Sequence, residues 1–261
     1  MIEICVENST CFIYDIKDWE ILRCKHKIVG VTLGNNFCIP SLPLQLLPEE
    51  AITLKRKGLA KFVSYPKLKT APSNLDYQLF NEFKEKLKSE LKAVYKKVRK
   101  AQIENIIDKI VCGKRKRGDL RSEDDIFEEE LNKSCVINDD TLLWPIFCSH
   151  SNNIESIEVP EDIILSKTTP SKVEIYSDLW KKNYYITVGS KFGGDFLLYL
   201  GDPVIYHAVN IVRCISVDDN FHPSELVSFS RLGTSVKKRA ILATLKDNGI
   251  ISYITLNWLD T

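Results

Sequence analysis

Three polar side chains in the last third of the chain have types suited to proton transfer and phosphate chemistry. They are Tyr199, His207 and Lys238. Histidine exchanges protons near neutral pH, because its unperturbed pKa is about 6.5. A lysine ammonium stabilises phosphate charge without a metal, and a tyrosine hydroxyl can donate or accept a proton. Together they offer an acid, a base and a positive charge.

These groups match what metal-free cleavage of RNA requires. RNA carries its own nucleophile, the 2′-hydroxyl beside each phosphodiester. Attack by that hydroxyl needs a base for its proton, an acid for the departing 5′-oxygen and a cation for the charge on the phosphorane. The products of such a reaction are a 2′,3′-cyclic phosphate and a 5′-hydroxyl end.

The surrounding segments predict a turn and a helix end that bring the three residues together. Tyr199 closes an apolar run, FLLY, that is typical of a buried strand. The Gly-Asp-Pro triplet at 201–203 predicts a turn, because Gly allows positive φ and Pro fixes its own φ. His207 is expected to open the next strand, and Lys238 to close a helical segment.

Each residue also has an ordinary structural interpretation. A tyrosine that closes a strand is usually a core residue with its hydroxyl in water, and Tyr199 fits that description. His207 taken alone would be a hydrogen-bonded structural histidine, as we expect His222 to be. Lys237 and Lys238 at a helix end would normally face the helix dipole. The residue types alone leave these alternatives open.

Several motifs around these residues occur in one order with matching gaps. They are GSKFGGDFLLYLGDP, a histidine five residues after Asp202, and RLGTSVKK. In this order the motifs resemble the catalytic domain of tRNA-splicing endonuclease. The N-terminal run LPLQLLPEEA resembles the first domain of the family's eukaryotic subunit that cleaves the 3′ splice site. The resemblance covers roughly residues 1–70 and 171–261 and fades between them.

The resemblance implies a fold, a reaction and three roles. It implies an α+β chain whose C-terminal domain is a mixed-sheet tRNA-intron endonuclease domain of the restriction-endonuclease-like type. Tyr199 is then the general base, His207 the general acid and Lys238 the group that stabilises the transition state. Leu200 stands where the family commonly has Pro, and Ser230 where it has Gly or Ala, but neither is a catalytic position.

The resemblance also implies partners and a location. The expected partners are intron-containing precursor tRNA, a second catalytic subunit and two structural subunits, in a heterotetramer in the nucleus. The alternative function is a non-catalytic assembly or RNA-binding subunit of the same complex. From the residues themselves, Lys191, Arg231 and Lys237 are expected to add positive charge toward RNA, although Arg231 could instead bridge to Asp195 inside the fold.

Composition limits the other classes of function. The formal net charge is +1 over 261 residues, so RNA binding has to come from local positive patches. Hydrophobic residues make up 44%, which is sufficient for a globular core. The eight cysteines occur singly beside four histidines, so no zinc-binding spacing is present and we expect reduced thiols.

Two carboxylates leave one metal-dependent alternative. Asp195 and Asp202 are acids of the kind that restriction-type nucleases use to hold metal ions. Asp202, however, lies in the Gly-Asp-Pro turn, where Asp commonly makes local hydrogen bonds. We therefore expect an enzyme without a metal or cofactor. Since no apolar run is long enough to span a bilayer, we also expect no membrane partner.

The sequence divides into four predicted regions, and the first two are a small domain and a long helix. Residues 1–70 predict a small α+β domain for docking or scaffolding, which begins with two strands joined by a polar turn around Asn8 and Ser9. Residues 71–118 contain a long helix, predicted over 76–112, whose apolar positions recur at spacings of three and four. It ends in KRKR at 114–117, which is a solvated helix end, a nuclear localisation signal or an RNA-contacting patch.

The other two regions are a linker and the catalytic domain. Residues 119–170 are acidic and polar, which predicts a flexible linker with short ordered pieces near 142–147 and 163–165. Residues 171–261 predict a mixed sheet with helices. Its predicted elements are a helix over 171–180, strands over 184–188, 195–199 and 206–217, a helix over 225–238, and a hairpin of strands over 240–245 and 251–258. The last strand is expected at a sheet edge, where it could pair with another chain.

Overall fold

The chain folds around two mixed sheets, one in each half of the sequence. A computed structural model describes residues 1–31, 42–65, 74–134, 156–220 and 222–258. Within these ranges each sheet has five strands, and helices pack around both, which confirms the predicted α+β class. No helix among these residues is long and apolar enough to cross a membrane.

The first sheet is built by the N-terminal region and completed by a strand from much later in the chain. Its elements are β1 (Ile2–Glu7), β2 (Thr10–Ile13), α1 (Ile16–Cys24), β3 (Leu44–Leu46), α2 (Pro48–Arg56), β4 (Ala60–Ser64) and β5 (Ile157–Glu158). The strand order is β3–β2–β1–β4–β5, with β1 parallel to β4 and the other neighbours antiparallel. Asn8 and Ser9 adopt positive φ in the predicted turn between β1 and β2.

Helices occupy the middle of the chain. They are α3 (Asn74–Glu104), α4 (Ile107–Arg115) and α5 (Glu123–Ser134). The helix predicted over 76–112 is therefore interrupted at 105–106, where the amide of Ile106 bonds to the carbonyl of Ile103 in a tighter turn. Leu91 of α3 is buried in the N-terminal core, while Tyr95 and Ile103 pack with Leu131 of α5.

The region 119–170, predicted as a flexible linker, contains regular elements at both of its described ends. Ile126 and Leu131 are buried, so α5 has an apolar face although its sequence is acidic. Near the other end, β5 pairs with β4, and α6 (Asp162–Leu165) falls on the second predicted ordered piece. The linker prediction did not include α5 or β5. The other predicted ordered piece, near 142–147, lies outside the described residues.

The second sheet carries the segments that hold the predicted site. Its elements are α7 (Pro170–Lys181), β6 (Tyr185–Val188), β7 (Phe196–Tyr199), β8 (Asn210–Ile215), α8 (Pro223–Ser235), β9 (Arg239–Leu245) and β10 (Ile251–Leu256). The order is β10–β9–β8–β7–β6, so β10 lies at an edge as predicted. Only β8 and β9 are parallel among its described pairs.

Each face of this sheet is covered by a different helix, one by α7 and the other by α8. Along β7, Phe196 and Leu198 pack in a cluster with residues of α7. Leu197 and Tyr199 alternate with them and pack toward Phe229 of α8. Tyr199 therefore lies on the face of the sheet that α8 covers.

The strand predicted over 206–217 begins later than expected. Strand β8 starts at Asn210, because the amides of Ile205 and Tyr206 bond to the carbonyl of Asp202 at 2.8 and 2.9 Å. Those amides are held in a turn and are not free for sheet pairing. His207 therefore lies in a loop rather than at the start of a strand.

Glu50 is a buried carboxyl group where the two halves of the chain meet. It accepts hydrogen bonds from the amides of Leu47 at 2.9 Å and Gly30 at 3.1 Å, and the hydroxyl of Tyr176 donates to it at 3.4 Å. Tyr176 belongs to α7, so this carboxyl joins α2 to the second half. Burial raises the pKa of Glu50 to about 7, although the backbone donors oppose the shift.

We predict that Glu50 makes the chain less stable as the pH rises. Its pKa is raised on folding, so its contribution is fully present below about 4.5 and is lost as the pH rises through about 7. Between pH 5 and pH 8, the free energy of unfolding of the wild-type chain should fall by roughly 2–3 kcal/mol relative to that of Glu50→Gln. Urea unfolding at both pH values measures this difference, with Glu128→Gln, at an exposed position of α5, as control. If the free energies of unfolding of the wild-type chain and of Glu50→Gln differed by the same amount at both pH values, the prediction would be contradicted.

Candidate active site

The register of the second sheet brings three separate chain segments side by side. Leu198 of β7 pairs with Asn210 of β8, and Asn210 pairs with Arg239 of β9. The amide of Val209 bonds to the carbonyl of Leu198 at 2.8 Å, and the amide of Arg239 bonds to the carbonyl of Val209 at 3.0 Å. Since neighbouring strands lie about 4.8 Å apart, the end of β7 adjoins the starts of β8 and β9.

The three predicted catalytic residues occupy this end of the sheet. Tyr199 is the last residue of β7, and Lys238 directly precedes β9. His207 lies in the loop just before Val209, whose two backbone hydrogen bonds join the three segments. The fold therefore gathers positions that are far apart in sequence at one place.

Tyr199 is held from within the core. Its side chain is only 7% exposed and packs with Leu197, Ala208 and Phe229. The hydroxyl of Thr187, on the neighbouring strand β6, donates a hydrogen bond to the Tyr199 hydroxyl at 3.3 Å. This contact fixes where the phenol oxygen lies, and no motif in the sequence indicates it.

Lys238 is placed by a tight exit from α8. Lys237 adopts a left-handed conformation with φ of 54°, and the amide of Lys238 bonds to the carbonyl of Gly233 at 2.8 Å. A Cβ at Gly233 would come within 2.9 Å of the Lys238 carbonyl oxygen, which explains the glycine in RLGTSVKK. The Lys238 ammonium donates to the carbonyl of Val236 at 3.1 Å and lies 5.1 Å from the ring centre of Phe192.

The surroundings of Lys238 and Tyr199 are continuous. Phe192 and Val236, which contact the lysine side chain, are half-buried against the same apolar cluster that contains Tyr199 and Ala208. An ammonium beside apolar groups acts more strongly on a nearby charge than one in open water. The arrangement thus places a partly desolvated cation and a fixed phenol beside the same apolar cluster.

His207 is exposed and is carried by a structured loop. The loop starts from Asp202, whose carboxylate accepts from the amide of Val204 at 2.9 Å, as the Gly-Asp-Pro turn predicted. It ends at Ala208, which is buried. The imidazole therefore faces solvent while the backbone on both sides of it is anchored, which suits a group that has to reach a substrate.

A contact with the first half of the chain was not predicted. Arg23 of α1 forms a two-pronged ion pair with Asp202, and Gln102 of α3 donates to the same carboxylate. Arg23 and Asp202 are 179 positions apart, and no local pattern relates them. Burial, and after it the charge of Asp202, raise the pKa of Tyr185, which pairs with Tyr199 in the sheet.

The three predicted RNA-contacting residues fall into two groups. Lys191 and Lys237 are exposed, and they directly adjoin Phe192 and Lys238 in sequence, so both flank the predicted catalytic lysine. Arg231 is also exposed, but its guanidinium stacks at 4.2 Å on the ring of Trp258, which follows β10.

The carboxylates considered for a metal site have other partners. Asp195 accepts from the ammonium of Lys172 at 2.5 Å and from the amide of Cys214 at 2.7 Å. The alternative ion pair between Arg231 and Asp195 is therefore wrong, because Lys172 of α7 takes that place. The described residues hold no cluster of three or more potential metal ligands among His, Cys, Asp and Glu.

His222 has the structural role expected for it. It precedes α8, and its Nδ1 accepts a hydrogen bond from the amide of Ser224 at 3.4 Å and lies 2.7 Å from the Ser224 hydroxyl oxygen. The ring therefore caps the helix N-terminus. Of the two histidines that the sequence offered in this domain, only His207 lies at the end of the sheet where Tyr199 and Lys238 meet.

Two family models match the chain, one in each half. Residues 170–253 match the tRNA intron endonuclease, catalytic C-terminal domain, and residues 2–65 match the TSEN34-like, N-terminal domain. The match over 2–65 contains four of the five strands of the first sheet, and the match over 170–253 contains the second sheet except for the end of β10. The second sheet and its site thus define a tRNA intron endonuclease catalytic domain.

Relatives with established names agree with this class. The human tRNA-splicing endonuclease subunit Sen34 is 25% identical over 99% of both chains. The mouse subunit Sen34 is 42% identical over 33% of this chain and 28% of its own length. The tRNA-splicing endonuclease of Saccharolobus solfataricus is 38% identical over 33% of this chain and 48% of its own. The chain belongs to the tRNA-splicing endonuclease family.

Proposed function

We propose that this chain is the catalytic subunit that cuts precursor tRNA at the 3′ exon–intron junction. The observation that carries the proposal is the end of the second sheet, where the segments bearing Tyr199, His207 and Lys238 adjoin. The similarity to Sen34 subunits of tRNA-splicing endonuclease supports the endonuclease activity. The choice of the 3′ junction rests on the resemblance of the run LPLQLLPEEA to the subunit that cleaves that site. Cleavage releases the intron and leaves a 2′,3′-cyclic phosphate and a 5′-hydroxyl.

Each side chain has a role that suits its surroundings. Tyr199 takes the proton of the attacking 2′-hydroxyl after it has been activated by loss of its own proton, and the bond that Thr187 donates orients its phenol oxygen. Lys238 stabilises the charge that develops on the phosphorane from a partly desolvated position. His207, on the exposed loop, gives its proton to the departing 5′-oxygen. Acid, base and cation are all side chains, so the proposed reaction has no metal or cofactor.

RNA binding uses local positive charge beside these groups. Lys191 and Lys237 flank Lys238 and contact the phosphate backbone of the precursor. Arg231, stacked on Trp258, presents a guanidinium plane to RNA at a different part of the domain. Positive charge that is gathered in two local groups fits a chain whose net charge is only +1.

The proposed setting is a nuclear heterotetramer with a second catalytic subunit and two structural subunits. The exposed basic residues Arg115, Lys116 and Arg117 at the end of α4 support nuclear import, whereas Lys114 is engaged with Glu129 and Glu130 of α5. Strand β10 supports subunit pairing, because it is an edge strand whose outer side has no neighbour among the described strands.

Replacing His207 by alanine tests the function. In the reconstituted complex, with all other subunits wild type, His207→Ala should slow cutting at the 3′ junction by about 10²–10⁴-fold, because the leaving group loses its proton donor. Cutting at the 5′ junction and assembly of the complex should stay normal. The reactions are run in EDTA, and the 5′ end of the downstream product is analysed.

The matched control is His222→Ala, which removes the helix-capping histidine of the same domain. It should cut both junctions at the wild-type rate. Normal cutting of both junctions by His207→Ala would contradict the proposal and favour a non-catalytic assembly or RNA-binding subunit. Loss of wild-type activity in EDTA, or a 5′-phosphate on the downstream product, would contradict the metal-free mechanism.

A proline in β10 tests the proposed pairing of subunits. The amide of Lys246 bonds to the carbonyl of Ile250 at 2.9 Å, and pairing in an antiparallel hairpin then alternates along the strands. This places the backbone amide of Thr255 on the open edge. Thr255→Pro should therefore keep the hairpin but remove a donor to a partner strand, and so reduce co-purification with the other subunits several-fold. Thr255→Ala is the control, and unchanged co-purification of the proline variant would exclude this edge as the contact.

A further inference from the structure

Asp202 ties the loop that carries His207 to the first half of the chain. Arg23 donates from Nη2 to one carboxylate oxygen at 2.6 Å and from Nε to the other at 3.0 Å. Gln102 donates to the second oxygen at 3.2 Å. The side chains of Arg23 and Asp202 are only 6% and 14% exposed. A two-pronged pair of this kind fixes orientation as well as distance.

The same aspartate organises the loop itself. Its carboxylate accepts from the amide of Val204, and its carbonyl accepts from the amides of Ile205 and Tyr206. The ring of Tyr206 lies so close over Gly201 that a Cβ there would come within 2.3 Å of a ring carbon. The loop is therefore a compact turn, and a displacement of its aspartate is passed on to the histidine that follows Tyr206.

Other contacts already hold the two halves of the chain together. Arg56 of α2 bonds to Glu174 of α7 at 2.9 Å. The indole nitrogen of Trp180 donates to the carbonyl of His26 at 2.6 Å. The N-terminal core also includes residues of α6 and α7. Loss of the carboxylate contact should therefore release the loop without separating the two halves.

We propose that Arg23 and Gln102 are positioning residues for the reaction. Through Asp202 they hold the loop where the imidazole of His207 meets the departing 5′-oxygen, an inference that rests on the proposed function. Neither residue touches the reacting atoms. The N-terminal region thus supports cleavage directly, in addition to the docking role that its sequence suggested.

Arg23→Gln tests the proposal in the reconstituted complex. Single-turnover cutting of the 3′ junction over a range of complex concentrations gives the maximal rate and the half-saturating concentration. The maximal rate should fall by about 10–100-fold, and the half-saturating concentration should change by less than about twofold, because only the geometry of the loop is altered. Arg23→Lys keeps the positive charge but not the two-pronged geometry of the guanidinium, so its maximal rate should lie between those of the wild type and Arg23→Gln. Arg56→Gln, which breaks a different ion pair between the halves, is the matched control and should cut normally.

A double variant separates positioning from general damage. If Arg23 acts through His207, Arg23→Gln combined with His207→Ala should cut no more slowly than His207→Ala alone. The inference would be overturned if Arg23→Gln slowed cutting by the same factor in the His207→Ala complex as in the complex with His207 present. A normal maximal rate of the Arg23→Gln single variant would also overturn it. Normal cutting by His207→Ala would instead contradict the proposed function itself.

A milder variant covers the case in which Arg23→Gln does not assemble. Gln102→Leu removes one of the hydrogen bonds to Asp202 and leaves the ion pair in place. We expect a loss of a few-fold in maximal rate at unchanged half-saturation. A wild-type maximal rate for an assembled Gln102→Leu complex would overturn the inference.

Discussion

The site depends on the hydrogen-bond register at one end of the second sheet. Antiparallel pairing of β7 with β8 and parallel pairing of β8 with β9 place Leu198, Asn210 and Arg239 in one row. A slip of one residue between these strands would turn the phenol of Tyr199 to the other face of the sheet. The parallel pair needs a crossover connection, which α8 supplies. Gly233 lets that helix end close enough to β9 for Lys238 to enter the site.

The N-terminal region is integrated with the catalytic domain rather than attached to it. Strand β5 belongs to the first sheet although it directly precedes the second domain in sequence. The first core contains Leu91 of α3 and Val173 of α7 as well as residues of the N-terminal sheet. Buried polar contacts also join the two halves of the chain. Tyr176 donates a hydrogen bond to Glu50, and Arg23 forms an ion pair with Asp202. Both family matches are thus parts of one folded unit.

Local features of the fold could be predicted from sequence because their causes are local. The turn at Asn8 and Ser9, the Asp-Asn-Gly hairpin with Gly249 at positive φ, and the edge position of the last strand all follow from turn chemistry and chain order. The site positions followed from motifs and their gaps. Their arrangement at one end of the sheet also depends on the register of β7, β8 and β9, which the motifs do not specify.

What the sequence could not supply are contacts between distant residues and competition for hydrogen bonds. Arg23 and Asp202 have no pattern in common, and Lys172 replaces Arg231 beside Asp195 only because α7 packs there. The late start of β8 reflects Asp202 capturing two amides that an apolar run would otherwise offer to the sheet. The acidic composition of 119–170 concealed the apolar face of α5, since a few buried side chains suffice to pack a short helix.

The most direct test of the account is leaving-group rescue of His207→Ala. A precursor tRNA is made with sulfur in place of the bridging 5′-oxygen at the 3′ junction, so that the departing group leaves without a proton. If His207 is the general acid, the variant should cut this substrate within about tenfold of the wild-type complex while remaining about 10²-fold or more slower on the oxygen substrate. Equal impairment of the variant on both substrates would contradict the assignment of His207 as the proton donor.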